Sequence, residues 1–192
     1  FYKSFLKIEE FEGMGLNLRQ FQLINSLIND RLHFRAEYKS NSIDNEFNFY
    51  STLNENQEIQ FGIQPSKISF QGKQWNVNHL DERTSFLYLS LNGVQLDSTV
   101  FSNDESSLFI SFDQQKSQRF QATFENINLS DIFSSSPKRF VSGITNGSLD
   151  ITLDNNIFGG EANLQIDSLS FNDSYLGDAS IDLRSFQDAY EL

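Results

Sequence analysis

The sequence predicts a mainly all-β fold of antiparallel strands with one or two short helices. Three observations carry this expectation. Apolar and polar residues alternate through most of the chain after residue 45. Turn-forming residues interrupt the alternation about every 8 to 12 residues, as between meandering strands. The polar partners are Asn, Gln, Ser, Asp and Thr almost throughout, which describes strands with one dry and one wet face. A parallel sheet buried on both faces would show continuous apolar runs instead.

Along the chain, Phe47 and Phe49 flank Asn48, and Ile59, Phe61 and Ile63 are separated by Gln60 and Gly62. Ile68 and Phe70 flank Ser69, and Trp75 and Val77 flank Asn76. Farther on, Leu149, Ile151 and Leu153 alternate with Asp150 and Thr152; Leu164 and Ile166 flank Gln165, and Ile181 and Leu183 flank Asp182. Turns are expected at Gln71-Gly72-Lys73, Asn92-Gly93, Asn146-Gly147 and Asp154-Asn155-Asn156, because Asn and Gly tolerate positive φ. Residues 86–91 alternate poorly and read as buried on both sides.

Two segments follow a different period. Leu18, Phe21, Ile24, Leu27, Ile28 and Leu32 recur at three and four residues, which predicts a helix over 18–32. Residues 129–133 predict one short helical turn before a Ser-rich loop and Pro137. Each is flanked by strand-like runs, so the chain reads as one continuous segment with a weak internal repeat, about 1–127 and 128–192. Its start at Phe1 and its end at Leu192 without a closing element suggest a segment of a longer protein.

The 192 residues include 14 Lys plus Arg against 26 Asp plus Glu, a net charge of −12, with 20 Phe, 2 Pro and no Cys. That charge, without a basic stripe, argues against nucleic acid as a partner. The missing Cys excludes disulfides, thiolate metal sites and cysteine nucleophiles. The high aromatic content argues against disorder. The longest apolar stretch, Phe86 to Leu89 resuming at Leu91, is far below the roughly 18 residues that span a bilayer as a helix.

No catalytic constellation emerges. His33 and His79 lack partners at metal-ligand spacing, and there is no nucleophile elbow. Gly13-Met14-Gly15 is a lone pair of glycines and reads as a turn. Glu9-Glu10 and Asp81-Glu82 read as solvated turn residues, and Asn103-Asp104-Glu105 and Asp154-Asn155-Asn156 match no calcium loop. The expectation is a protein that is not an enzyme, with no catalytic residue, cofactor or metal. Trp75 alternates with Val77 on the apolar face, which favours packing over sugar stacking. That apolar face is either the closed core of a β-sandwich or an open sheet face available to a ligand, and periodicity alone leans towards the sandwich. The alternative function is accordingly a sandwich-type, adhesin-like scaffold that binds protein through sheet edges.

Several stretches resemble the TamB family, the translocation and assembly module proteins of diderm bacteria, within the broader AsmA-like group of bridge-like lipid-transfer proteins. The run from Ile59 through Pro65-Ser66-Lys67-Ile68 to Trp75-Asn76-Val77 is similar to a recurring strand pair of that family. The run from Phe124 to Ile132, followed by Gly143-Ile144-Thr145-Asn146-Gly147-Ser148-Leu149-Asp150-Ile151, resembles its strand, short turn and G-x-x-x-G-x-L-x-I pattern. Leu164-Gln165-Ile166-Asp167-Ser168-Leu169, then Leu176-Gly177-Asp178-Ala179-Ser180-Ile181, resembles a third repeat. Gly159-Gly160 stands where the family usually has a proline.

The resemblance implies an elongated, folded-over antiparallel sheet, a β-taco, whose inner groove carries phospholipid acyl chains between inner and outer membrane and serves outer-membrane assembly. It implies a periplasmic segment whose parent is anchored in the inner membrane and engages a BamA-like, TamA-type outer-membrane barrel. The expected groove lining is Phe47, Phe49, Ile59, Phe61, Ile63, Ile68, Phe70, Trp75, Val77, Leu149, Ile151, Leu153, Leu164, Ile166, Ile181 and Leu183.

Overall fold

The structure is a computed structural model. It describes residues 3–13, 16–40, 43–53, 58–70, 72–80, 82–90, 93–114, 118–133, 141–154, 157–172 and 174–185. Among these the chain is almost entirely antiparallel β, as its alternation predicts. The strands are β1 (Lys3–Gly13), β2 (Leu16–Ile28), β3 (Arg31–Ser40), β4 (Ile43–Leu53), β5 (Ile59–Ile63), β6 (Ser66–Phe70) and β7 (Lys73–Val77). They continue with β8 (Ser85–Ser90), β9 (Gly93–Asn103), β10 (Ser106–Asp113), β11 (Arg119–Asn128), β12 (Val141–Asp154), β13 (Ile157–Phe171) and β14 (Ser174–Ser185). One short helix, α1 (Leu129–Phe133), separates β11 from β12, at the place where a helical turn is expected.

The chain divides into two compact units, Phe1–Leu91 with Val100–Asn103, and Asn92–Thr99 with Asp104–Leu192. In the first, β1 to β5 and β8 are neighbours in that order, while β6 pairs with β4 and β7. Strand β4 pairs with β5 from Phe49↔Ile63 to Leu53↔Ile59, and with β6 at Glu46↔Lys67. Strands β5 and β6 therefore share one position in the sheet, interrupted at Gln64-Pro65. Proline has no N–H for the ladder. At the interruption Ser66 substitutes: its Oγ accepts from the Asn48 backbone N–H and donates to the Gln64 carbonyl, both at 2.8 Å.

A second side-chain bridge sits where β7 ends. Asn78, 1% exposed, donates through Nδ2 to the Ile63 carbonyl at 3.0 Å and to Ser85 Oγ at 2.8 Å. Its Oδ1 accepts from the Val100 N–H at 3.1 Å, and its own N–H donates to the Val100 carbonyl at 2.8 Å. With φ at 56° the residue is left-handed, a conformation Asn tolerates better than most.

The second unit orders β9 to β14 consecutively. Three of its ladders carry bulges, between Phe124 and Ile127, Ser142 and Ile144, and Ile166 and Leu169. Neighbouring side chains satisfy two of the displaced amides: Asn146 Oδ1 accepts from the Asn126 N–H and Asp178 Oδ1 from the Ser168 N–H. Bulges of this kind bend a strand and increase its twist.

Several local expectations are corrected. Residues 18–32 form no helix; they belong to the β2–β3 hairpin, whose turn is Asn29-Asp30 with φ of 49° and 59°. Two consecutive positive φ values are the signature of a tight hairpin turn matched to strand twist. The helical spacing arose because β2 is apolar on both faces: Phe21, Leu23 and Leu27 point one way, Ile24 and Ile28 the other. The strand–helix–strand repeat loses its first copy with that helix. Asn146-Gly147 lies inside β12, not in a turn. Gly147 is needed there because a Cβ would fall 2.0 Å from the Asn163 carbonyl oxygen, at a φ of 131°. In β8, Phe86 and Tyr88 point opposite to Leu87 and Leu89, so poor alternation reflects two apolar faces; Leu89 is nonetheless exposed. Gly72 lies in a turn as expected, while Met14, Gly15, Gln71, Asn92, Asn155 and Asn156 lie outside the described residues.

Candidate functional site

Register decides which residues share a face, because directly paired residues point to the same side of a sheet. In the first unit one row reads Asn25, Phe34, Phe49, Ile63, Ser85, and the next Leu27, Leu32, Ser51, Phe61, Leu87. A third reads Leu53, Ile59, Leu89, and Leu23, Ala36 and Phe47 form a fourth. Ile68, Phe70, Trp75 and Val77 lie on this face too, given the bridge Glu46↔Lys67 and the pairs Ile68↔Trp75 and Ser66↔Val77. Its aromatic centre is Phe49, stacked on Phe34 at 4.7 Å between ring centroids and tilted against Phe47 at 5.6 Å and Phe61 at 6.2 Å.

The second unit repeats the pattern more cleanly. Its rows read Phe112, Phe120, Ile151, Gly160; Ile110, Ala122, Leu149, Ala162, Leu183; and Leu108, Phe124, Gly147, Leu164, Ile181. The opposite face carries Ser111, Gln121, Asp150, Glu161 and Arg184 in one row. There Arg119 forks onto Asp150, with Nε to Oδ1 at 2.8 Å and a second contact from its terminal nitrogen to Oδ2, and Gln121 adds a bond at 3.0 Å. The hydrogen bond from Arg119 holds the Asp150 carboxyl below its ordinary value, against a smaller upward push from burial. Burial pushes Asp97 the other way.

All sixteen expected lining residues fall on these apolar faces, nine in the first unit and seven in the second. They are not equally accessible. Trp75 and Val77, at 5% and 1% exposed, are closed core and not open lining. Ile166 is also buried, whereas Ile59, Phe70, Ile181 and Leu183 are exposed and the rest half-buried. The register adds residues to these apolar faces that the sequence reading passed over: Leu23 and Leu32, within the segment read as helix, Phe34 just after it, and Leu108, Ile110, Phe112, Phe120 and Phe124. The last five carry their own period-two signal.

The reverse face of the first unit is less polar than expected. His33, Tyr50 and Phe86 form a chain of rings at 5.4 and 6.4 Å, Tyr88 extends it at 6.1 Å, and the Arg31 guanidinium lies 4.8 Å from the Tyr50 centroid. Beside it, Lys7, Gln22, Glu37, Glu46 and Lys67 form a cross-strand row that floors a hollow of about 710 Å³. Arg35 bridges Glu37 at 2.6 Å and Glu46 at 2.8 Å, and Lys39 reaches Asp44 at 3.3 Å. The lining of this hollow carries three acids, Glu37, Asp44 and Glu46, and three bases, Lys7, Lys39 and Lys67. Among the described residues no group of three or more His, Asp or Glu is placed to hold a metal ion, and no helix is long and apolar enough to cross a membrane.

Fold and faces together define an antiparallel all-β protein whose two units each present one broad apolar sheet face. Comparison with protein families, curated proteins and solved structures finds no match to this chain.

Proposed function

We propose that the apolar sheet faces take acyl chains, and that the chain is a groove segment of a TamB-like intermembrane lipid-transfer protein. On this reading it works in the periplasm without a catalytic site. Its parent is anchored in the inner membrane and meets a BamA-like outer-membrane barrel, moving phospholipid in support of outer-membrane assembly. The observation that carries the reading is the row Leu53, Ile59, Leu89, three large apolar side chains side by side on adjacent strands and 65%, 45% and 37% exposed. Contiguous exposed apolar surface marks a binding surface more often than idle exterior. Each methylene of a bound chain covered here gains about 0.8 kcal/mol. Phe suits such a lining because it offers a large apolar area and no polar group that needs a partner.

The test places a photo-crosslinking residue at Phe61 and at Ile151, with Gln60 and Thr152 on the reverse faces as controls. Crosslinked phospholipid at the first two and none at the controls is the expected outcome. No lipid at either apolar position would return the chain to the scaffold reading, in which the same faces are simply covered core.

A further inference from the structure

At one level of its apolar face the second unit is packed by helix α1, against β11 and β12. Ile127, Thr145 and Ile166 form a single cross-strand row on that face and are 0%, 3% and 9% exposed. Asn126, Gln165 and Asp167, beside them on the reverse side, are exposed. The cover therefore lies on the apolar side, where α1 follows β11 directly and packs against β11 and β12. On the same face the neighbouring rows end in exposed Ile181 and Leu183.

The helix is short. Five residues are too few for a helix to persist without tertiary packing. At its start Asn128 Oδ1 accepts from the Ser130 N–H at 3.0 Å and from Ser130 Oγ at 2.8 Å. Beneath it the Thr145 hydroxyl is buried with no hydrogen-bond partner among the described residues, an unfavourable arrangement in the covered state.

We infer that α1 is a displaceable stopper. It closes the second unit's apolar path at the row Ile127, Thr145, Ile166, and an acyl chain advancing along the face must unseat it. Leu129 and Ile132 then compete with lipid methylenes for the same surface. The inference rests on the acyl-binding reading, and its two experimental arms separate the two.

Because the chain has no Cys, Thr145→Cys places a single thiol beneath the helix in the full 192-residue chain. Without lipid, maleimide labelling of that thiol is slow. Adding Ile132→Ala should quicken it about tenfold, equivalent to about 1.4 kcal/mol of lost seating energy, while Ile132→Val should stay near the single variant. Equal rates with Ile132→Ala would overturn the stopper. In the second arm the chain is mixed with phosphatidylethanolamine–phosphatidylglycerol vesicles. Amide exchange at 129–133 should rise about fivefold, with the β11–β12 ladder unchanged. Unchanged exchange together with lipid crosslinked at Ile151 overturns the stopper alone. Absence of lipid at both Phe61 and Ile151 overturns the acyl-binding reading on which it rests.

Discussion

Gly62 and Tyr50 face each other across the β4–β5 ladder, and the pair shows how closely single residues are fitted here. A Cβ on Gly62 would lie 2.3 Å from the Tyr50 ring, which is itself 6% exposed and held among His33, Phe86 and Arg31. Gly62→Ala should cost about 1–3 kcal/mol, as overpacking does. Urea denaturation should show a smaller loss when the same change is made on a Tyr50→Leu background, since contacting sites are not additive. Asn78 makes a stronger claim. Asn78→Ala leaves the Val100 N–H and the Ile63 carbonyl without that partner, at about 1–3 kcal/mol for each group left unsatisfied. Amide exchange at Val100 reports the loss directly. Two carboxyls respond to acid in opposite senses. Asp150 has its folded value depressed, chiefly by the Arg119 hydrogen bond, below the ordinary 3.8. Its stabilising contribution is present above that value and is lost as pH falls through the depressed one. Asp97 is raised by burial, so its contribution is present at low pH and is lost as pH rises through the raised value. Asp150→Asn should therefore flatten the acid limb of a thermal-melting profile, by no more than about 1 kcal/mol for so accessible a pair.

At the scale of elements, β2 and α1 are instructive opposites. The period of residues 18–32 mimics a helix because a two-faced apolar strand and its hairpin partner place Leu18, Phe21, Ile24, Leu27, Ile28 and Leu32 at helical intervals. Local spacing cannot separate the two; the turn at Asn29-Asp30 and pairing with β1 and β3 decide it. Helix α1 forms where its short pattern predicts, because Asn128 caps it and the sheet face beneath is apolar. Asn128→Ala should cost about 1 kcal/mol of local stability, the usual value of an N-cap. Faster amide exchange confined to 129–133 is the expected sign.

At the scale of the whole molecule, acidic and aromatic residues are separated more fully in the second unit than in the first, whose reverse face carries both. In the second unit acids, amides and hydroxyls predominate on the reverse face, where Phe109 and Ile144 are exceptions, while Leu, Ile and Phe predominate on the other. Leu183→Asp adds a charge to an exposed position of the apolar face and should sharply reduce lipid crosslinking at Ile151. Ser180→Asp, one face away on the same strand, should leave it intact. Circular dichroism checks that both keep their strands.

The sequence by itself determined the antiparallel β character, the apolar-polar division of most strands after residue 45 and the position of α1. These follow from side-chain period, turn chemistry and capping within a few neighbouring residues. Only the tertiary structure decided register. It showed that Trp75 and Val77 close into core while Leu53, Ile59 and Leu89 stay open, and that β2 is strand. It also set aromatic residues on the reverse face of the first unit. Those outcomes depend on which strand lies beside which, and on what covers each row. Alternation records only that a side chain points to one of two faces; burial is set by partners tens of residues away.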